Sequence, residues 1–547
     1  PKGKDTQSQR KHRSTVKGDP RVPPRMSAKA DMLPGNCLPN PMSFAYAKST
    51  PMCLVTLFSV PLCKAARRAV LAMVLLVVGA VAPAFEVVYR STGLSIAEPG
   101  DPVAADLDRD GVYEILVAGA RGRLAAYNSQ TLKPLWDVQV SPTGITPPVV
   151  GDFLGDGTPL LALGATDGHV YFLWPGSGRT HSRFDAGVAI SVAPCIVPLK
   201  RRDGSDRDGL AFCDDAGSVR LLSMVNGQPV EEFSVPNAFT EFVHDTGQQR
   251  NVNIGRISRP PSVADVNGDG IPEIVVGTVS GGVQATPIHD PQLRYWWRAP
   301  QGTNICTSIA AGDFQKTGMD QIAFGTTGGE LYVLAFESSQ QTQLYFRVVQ
   351  RQRLLGPANG PLLIADFDGD GYLDIAGASN ATVATFDGAA QMANFGAQPY
   401  ATHATPLSAL SVVQVAGGGV RLLFGDSAGG VILLDPLLKD EGERFRGKEP
   451  MSGVCLAGDL TGAGRLEAAY LADSGKRLVV AQLDSPAPES GVPPMQAYGV
   501  NFRRNSQFTT ATFEAAARAG ERADAAFAAL VARGQAALGS DLSLIHI

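Results

Sequence analysis

The chain has 547 residues, 44% of them hydrophobic, 18% charged and 7% aromatic, with 60 Gly and 38 Pro. So much Gly beside so few charges excludes a coiled coil, and the Gly and Pro content stays below that of a collagenous or low-complexity chain. The formal net charge of -5 hides an asymmetry, because residues 1–84 hold 13 Lys and Arg against 3 Asp and Glu. The rest is therefore acidic, which disfavours nucleic acid as a partner and suits calcium.

In chain order, residues 1–51 are polar and basic, show neither strand nor helix period, and read as an unstructured or untranslated leader. Residues 52–84 read as a signal peptide. Lys64, Arg67 and Arg68 precede an apolar run of 13 residues (69–81), which closes with the small-x-small triplet Ala82-Pro83-Ala84. That run is shorter than the ~20 residues a membrane span needs. Export to a secreted or extracytoplasmic (periplasmic or extracellular) location is expected, with membrane anchoring only through an uncleaved signal segment.

Beyond residue 84 the chain repeats itself. PVAADLDRDGVYEILVAGARGRLAAY (102–127) recurs at 261–286 and 361–386, with weaker copies at 148–173, 308–334 and 455–480. Two further copies, 196–222 and 410–434, keep the flanks but lose the acidic turn. The eight starts lie about 50 residues apart. Each unit reads as a buried strand, an Asp/Gly turn, a second buried strand, a Gly turn, a third strand and a more polar fourth. Trp136 and Trp297 each stand 16 residues ahead of the next acidic turn, at Asp152 and Asp313, so the fourth strand keeps register too.

A four-stranded unit of this size cannot bury both its faces alone, whereas units stacked around an axis cover one another. The fold class is all-β: a β-propeller over residues 85–505 with four-stranded blades, eight preferred and seven the alternative. A parallel solenoid has shorter repeats of roughly 20–30 residues. Residues 85–95 are expected to supply the strand that closes the ring on the last blade. Residues 506–541 are Ala-rich and read as a short C-terminal helix, and 542–547 as a sequencing-adapter artefact. No pair or cluster of the seven cysteines has zinc spacing. Cys195 and Cys213 could pair in an oxidising compartment or serve as small buried hydrophobes.

Three turns share the pattern D-x-[DN]-x-D-G-x-x-[DE]: Asp106, Asp108, Asp110 and Glu114; Asp265, Asn267, Asp269 and Glu273; Asp366, Asp368, Asp370 and Asp374. Alternation puts oxygens at positions 1, 3 and 5 on one side of a curled loop. Gly at position 6 permits the reversal, the carbonyl at position 7 (Val112, Ile271, Tyr372) faces inward, and the carboxylate at position 9 closes the shell. Such a loose set of hard oxygens suits Ca²⁺ over Mg²⁺. An EF-hand is excluded, since position 12 is Val117, Val276 or Gly377 in place of Glu and the flanks are strands. The turns at Asp152, Asp313 and Asp459 lack most of the ligands and are expected to be metal-free.

On these turns the units resemble FG-GAP/VCBS-type repeats, the blades of integrin-α-like propellers, across residues 85–505. Interleaved stretches such as AAYNSQTLKPLWDV (125–138) are similar to quinoprotein-type propeller repeats. Within the repeat copies the literal Phe-Gly pair stands at Phe324-Gly325 and Phe424-Gly425. In integrin-like propellers the ions hold turns on one face and do no chemistry, and the resemblance implies the same for these three turns.

No catalytic constellation emerges. A quinone-dependent dehydrogenase-like enzyme would be expected to show adjacent cysteines and many tryptophans, and the chain has four Trp. A polysaccharide-degrading propeller would need a paired acid and base, yet His181, His244, His289 and His403 are scattered. Residues 236–260 and 289–304 exceed minimal blade connections and are candidate recognition segments. Within the second, Tyr295-Trp296-Trp297 could contact sugar or protein, with Trp297 more at home in the core. Asn380-Ala381-Thr382 is a glycosylation sequon in a eukaryotic secretory route. The expectation is an exported, non-catalytic calcium-binding propeller for adhesion, ligand binding or scaffolding, whose unidentified protein or carbohydrate partner sits on a loop face. The two enzyme classes are the alternatives.

Overall fold

The computed structural model describes residues 88–486, apart from 201–205, 244–247, 254, 301, 338–344, 380–381, 397–398, 402–408, 416–419, 428, 439–442 and 447–449. The leader, the signal segment, the Ala-rich tail, the terminal six residues, the sequon's Asn380, His244 and His403 lie outside the described residues. Among the described residues no helix is long and apolar enough to cross a membrane.

Everything described is strand and turn. Blade 1 is an antiparallel meander of β2 (Val103–Ala105), β3 (Glu114–Ala118), β4 (Arg123–Asn128) and β5 (Pro134–Gln139). The same four-strand order repeats from Val149, Cys195, Ser262, Ala310, Ala358, Ser411 and Met451, which makes eight blades. In blade 6 the outer strand is split into Ala393–Asn394 and Tyr400–Ala401. Blade 8 takes only three strands from its own stretch. Its fourth is β1 (Val88–Gly93), which runs antiparallel to Arg477–Pro486 with Val88 opposite Gln482 and Gly93 opposite Arg477. The strand expected from residues 85–95 thus closes the ring.

The core explains the repeat. Buried side chains fall into clusters that lie between successive blades. Along β3, Ile115 and Val117 pack with Leu456 and Leu478 of blade 8, while Leu116 and Ala118 pack with Leu161 and Leu163 of blade 2. Both faces of the strand are buried, so it reads as an unbroken apolar run with no alternation.

Residues 236–260 contain a two-stranded hairpin, Ala238–Val243 with Gln248–Asn253, outside the blade sheets. Residues 289–304 contain an ordinary outer strand, Tyr295–Arg298 of blade 4. That placement corrects the contact reading of Tyr295-Trp296-Trp297, because all three rings are buried. Trp296 packs toward blade 3, and Trp297 packs toward Phe324 and Tyr332 of blade 5. Cys195 and Cys213 are both free and buried. Cys195 lies opposite Ala211, two residues out of register with Cys213, so the pair is diagonal and unbridged.

Candidate metal centres

Each acidic turn joins the innermost strand of a blade to its second strand, so in a meander all of them open on one face of the ring. The first carboxylate has the same partner in every copy. Asp106, Asp152, Asp265, Asp313, Asp366 and Asp459 each accept the backbone N–H of the glycine five residues on, at 2.8–3.1 Å. Those glycines sit at φ between +69° and +84°. Asp at position 1 and Gly at position 6 therefore build the turn whether or not ligands follow, which is why the degenerate copies retain both.

What differs is positions 3, 5 and 9. In blade 1, oxygens of Asp106, Asp108 and Glu114 lie within 4.8 Å of one another, and in blade 6 those of Asp366, Asp368 and Asp374 do the same. In both, the ninth carboxylate is buried and the third exposed, so the cluster runs from the core to solvent. The fifth, Asp110 or Asp370, accepts the N–H of Val112 or Tyr372 at 2.7 Å, turning the chain at position 7. Blade 4 carries Asn267 at position 3. Its amide donates to Asp269 at 3.0 Å and to Glu273 at 2.9 Å, cross-linking the two carboxylates with a neutral group. Asp265 accepts Gly268 N–H at 2.8 Å, Asp269 accepts Ile271 N–H at 2.8 Å, and His289 lies 3.9 Å from Asp269.

The ninth carboxylates are held by the backbone at position 2: Leu107, Val266 and Phe367 donate to Glu114, Glu273 and Asp374 at 2.7–2.9 Å. Burial, and then the neighbouring acidic residues, push Glu114 up to about 7, Glu273 to about 8 and Asp374 to about 7. Asp106 and Asp368 are also raised, again by burial first. Among the described residues no ion pair reaches Glu114, Glu273 or Asp374. All-oxygen, mostly anionic donors whose ninth carboxylate has no ion pair among the described residues fit a hard divalent cation.

The degenerate turns solve position 9 in other ways. Blade 2 has the fully buried Leu160. Blade 5 has Gln321, which donates to the Met319 carbonyl at 2.6 Å and accepts from Gln315 N–H at 3.1 Å. Blade 8 keeps a carboxylate that the sequence reading passed over, Glu467, and Arg90 pairs with it.

Sequence reasoning also missed position 4, which is left-handed in all six turns: Arg109, Gly155, Gly268, Lys316, Gly369 and Gly462 have φ from +52° to +80°. The two that are not glycine reach the next blade. Arg109 donates to the Gly157 carbonyl of blade 2 at 2.7 Å, and the Lys316 ammonium lies 3.7 Å from the centroid of the Tyr372 ring in blade 6.

No family model and no curated protein matches this chain. Among solved structures it is similar to BamB from Moraxella catarrhalis, at 13% identity and TM-score 0.46, covering 73% of this chain and 100% of that one. It is also similar to Saccharomyces cerevisiae Sqt1, at 12% identity and TM-score 0.48, covering 73% and 98%. A third is BBS1N, solved in complex with ARL6DN, at 14% identity and TM-score 0.42, covering 72% and 95%. Similarity at this level carries no functional argument.

Proposed function

We propose that the chain is an exported, non-catalytic β-propeller of the FG-GAP/VCBS repeat type, whose turns on one face bind calcium and whose loops dock a protein or carbohydrate ligand. The carrying observation is the convergence of Asp106, Asp108 and Glu114, and of Asp366, Asp368 and Asp374, each around a buried carboxylate with no cationic partner among the described residues. Calcium would be held there by those residues with Asp110, Asp370 and the Val112 and Tyr372 carbonyls. In blade 4 it would be held by Asp265, Asn267, Asp269, the Ile271 carbonyl and Glu273, once the Asn267 amide turns its oxygen inward. The bound ion neutralises the cluster and stiffens the turn. A propeller so braced is a rigid platform, which suits adhesion or scaffolding.

The test is metal content and melting. Protein dialysed against calcium and washed is expected to retain two to three Ca²⁺ per chain by native mass spectrometry and to melt several degrees lower in EDTA. An unchanged melt with no bound calcium ends the reading. Clear turnover on incubation with pyrroloquinoline quinone or with oligosaccharides would overturn its non-catalytic part, and finding the exported form absent from the extracytoplasmic fraction would overturn the localisation.

A further inference from the structure

We infer that Arg90 is the built-in counter-ion of the acidic turn in blade 8, and that it makes the seam where the ring closes independent of dissolved metal. Glu467, the ninth residue of that turn, is 2% exposed. Positions 3 and 5 are Thr461 and Ala463, so the turn lacks the ligand set that would hold an ion. An ionised carboxylate buried there needs a cation, and the strand that precedes blade 1 supplies one. The Arg90 guanidinium donates to Glu467 at 2.7 Å through one nitrogen and to the Gln130 carbonyl of blade 1 at 2.8 Å through another. One side chain on the closing strand therefore ties blade 8 to blade 1. Arginine fits this role because it stays charged and presents several donors in a fixed plane.

Two further bonds cross the same seam: the Tyr113 N–H and the Ser129 hydroxyl of blade 1 both donate to the Leu460 carbonyl of blade 8, at 2.8 and 2.6 Å. Among the described residues the seam is the one place where a blade is completed by a strand remote in sequence, so its pairing carries the largest loop-closure cost. A seam fastened by an exchangeable ion would open when the ion left. Blades 2 and 5, which need no such closure, drop the ninth carboxylate for Leu160 and Gln321. The contrast with blades 1, 4 and 6 rests on the calcium reading above; the Arg90–Glu467 contact does not.

The experiment compares thermal melts of wild type, Arg90→Gln, Arg90→Lys and Arg90→Gln/Glu467→Gln in calcium and in EDTA. Arg90→Gln is expected to lower the midpoint by about 3 °C, equally in both buffers, with Arg90→Lys intermediate. Adding Glu467→Gln is expected to recover at least half of the loss, because the cost lies in the buried charge left behind. Wild-type melting of Arg90→Gln, no recovery in the double variant, or a loss present in only one buffer would overturn the inference. Should Arg90→Gln fail to fold, folding of the double variant supports it and failure of both overturns it. A wild-type melt unmoved by EDTA with the Arg90 pattern intact removes the calcium reading alone.

Discussion

The carboxylate of Asp320 in blade 5 accepts the backbone N–H of Asp265 in blade 4 at 2.9 Å, while the N–H of Asp320 donates to the carbonyl of Asp265 at 2.7 Å. The first residue of one acidic turn is thus clasped through its backbone by the neighbouring blade. Asp208 of blade 3 does the same to Asp152 of blade 2, at 2.7 and 3.0 Å. On this face the turns are linked to one another as well as to their own blades.

Removing the clasp is expected to cost stability without removing a ligand. Asp320→Ala should destabilise the protein by about 1.5 kcal/mol, the scale of a hydrogen bond to a charged group, and Asp208→Ala by a similar amount. Urea unfolding in EDTA reads both, and a neutral outcome at both sites would show that the clasp contributes nothing.

The two roles of acidic residues in these turns should separate by buffer. Asp313→Ala removes a position-1 cap from a turn without the ligand set, so its loss of about 1 kcal/mol is expected equally in calcium and in EDTA. Asp368→Ala removes a position-3 oxygen that also accepts the Asp370 N–H at 3.1 Å, so its cost is expected to be clearly larger in calcium than in EDTA. Melting curves of the two variants in both buffers check this, and a calcium-dependent penalty at Asp313 would contradict it.

The chelated protein should lose stability as pH rises. Glu114, Glu273 and Asp374 have native pKa values pushed up to about 7–8 by burial, above those of the unfolded chain. The native state then holds protons that the unfolded state releases, so the contribution is fully present below about pH 4 and fades through about pH 8. The expected result is a midpoint in EDTA that falls between pH 5 and pH 8, and a flatter profile in calcium. Midpoints that rise over that window in EDTA would reverse the sign.

Gly270 isolates a backbone cost. It sits at φ +81°, and an added Cβ would meet nothing within 4 Å. Gly270→Ala is therefore expected to cost about 1 kcal/mol through conformation alone, measured by chemical denaturation. At Gly122, also left-handed, a Cβ would come 2.0 Å from the Ser141 carbonyl, and the same change should cost considerably more.

Much of the fold was legible before any coordinates. The recurrence from Asp106 to Asp459 and the buried second strands follow from spacing and local chemistry, because seven of the eight blades are specified by their own stretches, and the strand left over at Val88–Gly93 is the one the last blade lacks. The acidic turns were equally legible, since Asp at position 1 and Gly at position 6 act within a few residues. What contacts what across blades was not. Trp296 and Trp297 are adjacent, yet one faces blade 3 and the other blade 5, and a strand buried on both sides gives no polar stripe to tell the faces apart.

The amino-acid order alone settled the repeat and the oxygen-rich turns, because these depend on neighbours along the chain, while the strand pairing decided eight blades over seven. Only the closed ring decided which buried carboxylate meets a cation. Arg109, Lys316 and Arg90 act on blades other than the stretch that encodes them, and Arg90 meets Glu467 across 377 positions. Such electrostatic partnerships follow distance in space, and a circle brings the first and last strands of the propeller side by side.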